Sequence, residues 1–181
     1  DMSTNDALTL SATGQAGIAE LSDTADTRFA ALLEAVTAVC RDLAEAVVRD
    51  GEGATKLLTM RVTGAASVAE AERIADGIVR SPLVKTALFA ADPNWGRILA
   101  SAGAAAPEPV DWERVNLYLG ETCVVRGGLR AEDYSEAAGE AAMAGEEVTA
   151  TLDLGRGDAS AWMWTCDFSY DYVTINAEYR T

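Results

Sequence analysis

Glu52 and Lys56 stand four residues apart in DGEGATKLLTM (residues 50–60), with glycine at 51 and 53. A carboxylate in such a loop can hold the ammonium group of a ligand, because glycines let the backbone approach closely. Lys56 and Lys85 are the two lysines of a 181-residue chain that carries 29 acidic and 14 basic residues. A plain helix-to-strand turn is the competing reading. The segment lacks the spacing and the Lys-Ser/Thr ending of a P-loop, and no helix is expected after it. The chain contains no histidine. That excludes Ser-His-Asp and Cys-His catalysis and most zinc enzymes, unless another chain supplies the imidazole. Chemistry must then rest on carboxylates, hydroxyls, amides, the two lysines or the chain termini.

DPNWGR (92–97) is the most specific-looking loop. Asp92 or Asn94 can cap the helix expected to follow it. Trp95 and Gly96 suggest packing against a partner or ligand. GRGD (155–158) contains Arg-Gly-Asp but lies between two strand-like runs, and it reads as a hairpin turn. Tyr170, Tyr172 and Tyr179, with Trp162 and Trp164, make an aromatic-rich end. It reads as core or subunit interface, since a base-stacking surface needs basic company.

The elements that must position these residues follow from the apolar pattern. Phe29, Leu32, Leu33, Val36, Val39, Leu43 and Val47 mark one long amphipathic helix ended by Asp50-Gly51. Thr55–Val62 is strand-like. Ser67 and Glu70 have capping-box spacing before a second helix that ends ahead of Pro82. LVKTALFA (83–90) is a short apolar run, consistent with a buried strand. A helix after DPNWGR, a linker-like APEPVDWE (106–113), a hairpin in VNLYLGETCVVRGG and an alanine-rich helix in DYSEAAGEAAMAG come next. Two strands (EEVTATLDLG, ASAWMWTCDF) and a closing helix in YDYVTINAEYRT complete an α+β (mixed α/β) chain.

The net charge of −15 disfavours nucleic acid and anionic membrane as partners. No apolar run is long enough to span a bilayer. Cys40, Cys123 and Cys166 lack the spacing of a disulfide framework or a zinc site, which points to a reducing, cytoplasmic setting. No metal or cofactor is expected.

DMSTND, EGATK, SPLVKTALFAADPNWGR and CDFSYDYVTINAEYRT, in that order, resemble the ornithine acetyltransferase (glutamate N-acetyltransferase) family of arginine biosynthesis. The resemblance implies a precursor that cuts itself at an Ala-Thr bond into α and β chains. The exposed threonine is the nucleophile and its α-amine the general base, as in N-terminal-nucleophile hydrolases. An acetyl group passes from N-acetylornithine to that threonine and then to glutamate, with an oxyanion hole contributed by the α chain. This sequence then corresponds to the larger C-terminal part of a β chain, with the nucleophile upstream of Asp1. Thr4 follows serine, and Ala54-Thr55 belongs to the EGATK block, so neither is that nucleophile.

Position by position, the resemblance places substrate-binding roles on Glu52, Asn176 and Thr181, with Lys56 balancing charge beside Glu52. It implies an α2β2 assembly. Residues 1–81 would join the catalytic lobe shared with the α chain and the upstream β-chain segment, and residues 82–181 would form a C-terminal α/β lobe. Two other functions remain open at this level. One is an N-terminal-nucleophile hydrolase or aminopeptidase, in which water accepts the acyl group. The other is a non-catalytic structural subunit.

Overall fold

The computed structural model describes residues 13–178. The chain divides into two compact units, Asp1–Val47 and Val48–Thr181. Helix α1 (Thr27–Arg49) begins in the first and ends in the second. Its start is organised by Asp26, whose carboxylate accepts from the Arg28 backbone N–H at 2.9 Å and from the Arg28 guanidinium. None of its residues is buried. The apolar stripe foreseen from the periodicity is present but solvent-facing, with Leu33 54% and Val39 57% exposed.

The second unit is built on one six-stranded sheet. Its strands are β1 (Leu57–Ala65), β2 (Asn116–Leu119), β3 (Thr122–Arg126), β4 (Leu129–Arg130), β5 (Glu147–Asp153) and β6 (Ala159–Cys166), arranged β4-β3-β2-β5-β1-β6. β1 runs parallel to β5 and antiparallel to β6, and every other pairing is antiparallel. The sheet therefore draws strands from both sides of residue 82. Alternation places Leu58, Met60 and Val62 of β1 and Val148, Ala150 and Leu152 of β5 in the core.

Helix α2 (Val68–Val79) lies against β1 and β6 and buries Ile74 and Ile78. Helices α3 (Pro82–Phe89) and α4 (Trp95–Ala105) follow, and α5 (Glu136–Met143) packs on β2 and β3. Each fully buried aliphatic side chain of this core stabilises by about 1.5–3 kcal/mol relative to exposure. Helix α6 (Tyr170–Glu178) comes last. The mixed α/β class read from the sequence holds.

Three local expectations are corrected. LVKTALFA is helix α3, not a strand: Ser81 accepts from Val84 N as N-cap and Pro82 opens the first turn, a helix-start signature. GRGD does not close a hairpin, because β1 lies between β5 and β6. The loop wraps the end of β1, with Arg156 and Gly157 N–H both donating to Gly64 O. The Ser67–Glu70 capping box is half-formed. Ser67 accepts from Glu70 N, but the Glu70 carboxylate reaches Ala66 N (2.8 Å) and pairs with Arg156 (3.2 Å).

Candidate functional site

α1 stops at Arg49, and the chain reverses through Asp50–Ala54, where Ala54 N donates to Gly51 O at 2.9 Å. Gly53 takes φ +67°, a left-handed conformation that favours glycine. A Cβ there would lie 2.7 Å from Tyr172 N and 2.8 Å from Ser169 Oγ. The turn thus presses directly on the start of α6.

The turn is held from below by Asp167, which follows β6 and is fully buried. One carboxylate oxygen accepts from both Thr55 N and Lys56 N at 2.8 Å. The other accepts from Thr55 Oγ1 at 2.7 Å. Ser169 Oγ donates to Gly53 O at 2.6 Å and accepts from Tyr172 N at 3.3 Å, an N-cap geometry for α6.

Above these fastenings Glu52 and Asn176 meet. Asn176 Nδ2 donates to Glu52 Oε2 at 2.7 Å and to Tyr172 O at 2.9 Å. Both side chains are exposed. Among the described residues, the second Glu52 oxygen and the Asn176 carbonyl oxygen accept no hydrogen bond. An exposed carboxylate beside an amide oxygen is an acceptor pair suited to an ammonium group, which has only donors to offer. Thr181, the third expected site residue, lies outside the described residues.

Lys56 does not accompany Glu52. Its ammonium donates to Met143 O at the end of α5, where a cation meets the unsatisfied carbonyls of a helix C-terminus. Lys85, for which the sequence suggested no role, is 4% exposed on α3. Its Nζ donates to Thr165 Oγ1 at 2.8 Å, lies 3.7 Å from Cys166 Sγ and sits 4.6 Å above the Phe168 ring. Burial pushes the Lys85 amine below its usual range, partly offset by Cys166 and Asp167. Phe168 in turn stacks on Tyr172 at 4.7 Å. The aromatic end is thereby tied down near residues 168–172, although Tyr170 is 81% exposed.

Asn94 is the N-cap of α4, accepting from Arg97 N, and Trp95 is half-buried against the core of the same unit. The three cysteines are free, and no acidic or sulfur cluster among the described residues could hold a metal. No helix among them is long and apolar enough to cross a membrane.

Asp167, Ser169 and Lys85 are the residues of this site that sequence reasoning missed. The available signals were a carboxylate directly after an apolar strand and a lysine inside an otherwise apolar run.

The family model of the ArgJ family matches residues 1–181. The arginine biosynthesis bifunctional protein ArgJ of Pseudomonas fluorescens (strain Pf0-1) is 50% identical over the whole chain, which covers 45% of that protein. The protein of the same name from Pseudomonas syringae pv. tomato (strain ATCC BAA-871 / DC3000) is 49% identical with the same coverage. The chain thus spans about half the length of the curated relatives it matches. The crystal structure of arginine biosynthesis bifunctional protein ArgJ from Bacillus halodurans superposes with a TM-score of 0.89 at 38% identity, covering 99% of this chain and 83% of that one. With a match along its full length and a shared fold, the chain belongs to the ArgJ family.

Proposed function

We propose that this chain is the substrate-binding C-terminal part of the β chain of an ornithine acetyltransferase. The complete protein transfers an acetyl group from N-acetylornithine to glutamate. An acetyl-threonine intermediate forms on a nucleophile that lies outside this sequence. The observation that carries the reading is the 2.7 Å contact between Glu52 and Asn176 in a member of this family, with an acceptor oxygen on each side chain that no described residue occupies. Glu52 pairs with the cationic amine of ornithine, and Asn176 orients it through its amide oxygen. The threonine attacks the acetyl carbonyl and its own α-amine takes the proton, so no histidine is required. Ornithine leaves, and the amine of glutamate attacks the acetyl-threonine ester in the second half-reaction.

The α chain of the same precursor is the expected partner, in an α2β2 assembly that completes the oxyanion hole. The names of the relatives, which place them in arginine biosynthesis, support this assignment. The test is intact mass and N-terminal sequencing of the protein expressed from its complete gene, followed by an acetyl-transfer assay. Two chains, one beginning with threonine after an alanine, and acetyl transfer that requires glutamate are expected. One uncut chain, or acetyl release that ignores glutamate, would overturn the reading.

A further inference from the structure

An exposed side chain such as Glu52, on a glycine-rich turn, binds a ligand well only if something else aims it. We propose that Asp167 is the positioning residue of this site. It fixes the 51–56 loop so that Glu52 meets Asn176, an inference that rests on the binding role proposed for Glu52.

Three observations lead there. First, Asp167 is fully buried, and among the described residues all three hydrogen bonds to its carboxylate come from the loop. Removing a carboxylate from water is costly unless its oxygens are well satisfied, more than an ordinary surface turn requires. Second, Thr55 N and Lys56 N are the two donors between the turn and the first ladder bond of β1, from Leu57 N to Glu146 O. Asp167 is the protein acceptor for both, so without it the entry of the loop into β1 loses its side-chain anchor. Third, Ser169, two residues on, holds Gly53 O with one hydroxyl that also caps α6 at Tyr172 N.

Residues 167–169 therefore set both halves of the site from one short segment, the loop carrying Glu52 and the helix carrying Asn176. Behind them, Lys85 O accepts from Phe168 N at 3.2 Å and fastens the segment to α3. A displacement of about 1 Å at a substrate-orienting group can cost about 100-fold in rate, so such a fastening matters to turnover.

The experiment combines kinetics and hydrogen exchange on the protein expressed from its complete gene. Asp167→Ala should lower kcat/KM for N-acetylornithine about tenfold or more, mainly through KM, and raise amide exchange in the 51–56 segment. Asp167→Asn should restore most of both, because its amide oxygen still accepts from the two backbone N–H groups. In a Glu52→Gln background, Asp167→Ala should add less than about a twofold further loss, since a residue acting through Glu52 has nothing left to position.

Equal losses with and without Glu52→Gln would assign Asp167 a merely structural role and overturn the inference, as would unchanged exchange in the loop. If Asp167→Ala does not fold, Thr55→Val removes one of the three bonds and must show the same non-additivity. If Glu52→Gln alone leaves kcat/KM unchanged, the binding reading fails, and loop exchange by itself decides whether Asp167 holds the loop.

Discussion

Asn176 donates its amide to Glu52 at 2.7 Å across a separation of 124 residues, and both side chains remain open to solvent. Their meeting depends on two fastenings, Asp167 to the loop and Ser169 to the loop and α6. Function should therefore respond both to the exposed pair and to the buried fastenings that place it, and stability chiefly to the fastenings.

Glu52→Gln and Asn176→Ala should each lower kcat/KM for N-acetylornithine by about 10- to 100-fold, the loss of one charge-assisted or amide hydrogen bond in the transition state. Exposed side chains of this kind contribute little to folding, so stability should change by no more than about 0.5 kcal/mol. Steady-state kinetics alongside urea denaturation checks both. Variants that keep the wild-type kcat/KM would remove these residues from the site.

Gly53→Ala should destabilise the protein by about 1–3 kcal/mol, because it combines left-handed strain with a backbone clash. The added methyl would sit 2.7 Å from Tyr172 N, and α6 would have to move. Activity should fall with it as Asn176 leaves Glu52. Denaturation midpoints and kcat/KM, measured on one preparation, test the coupling. A fully stable, fully active Gly53→Ala would show that the turn does not press on α6.

Lys85 makes stability depend on alkaline pH in a defined direction. Burial, the largest cause, holds its amine below the usual 10.5. Between the folded and unfolded values the unfolded chain binds the proton and the folded chain does not. Stability from this group is therefore fully present above 10.5 and is lost as pH falls through the folded value. Wild type should gain stability relative to Lys85→Met as pH rises through the window just below 10.5. Urea titrations at about pH 8 and about pH 10 read the difference. A constant difference would contradict the assignment.

Tyr134 should act in the opposite sense. Burial first, and the neighbouring Glu136 carboxylate second, push its phenol up to about 12 from an ordinary 10.0. Its contribution to stability is fully present below pH 10.0 and is lost as pH rises through the folded value of about 12. An absorbance titration of phenolate should show a late-titrating tyrosine that disappears in Tyr134→Phe. That variant should also lose less stability than wild type across the same window.

The sequence by itself determined the elements whose signals are local. The 3.6-residue period of Phe29 to Val47 gave α1, and Asp50-Gly51 gave its end. EEVTATLDLG read as a strand and is β5, and of the two candidate caps, Asp92 and Asn94, it is Asn94 that starts α4. The family blocks singled out Glu52 and Asn176, but no spacing in the chain could say that they touch. For residues 83–90 the helix-start signal at Ser81-Pro82 was legible, yet an apolar run of that length suits helix and strand equally, and the strand expectation failed. Only the tertiary structure decided the rest. Inserting β1 between β5 and β6 is a non-local pairing, so the GRGD turn carried no trace of it. The role of Asp167 depends on partners 111 and 112 residues away. A buried carboxylate is stable only where the fold supplies its donors, and two of the three here are backbone N–H groups, which every sequence has and none can advertise.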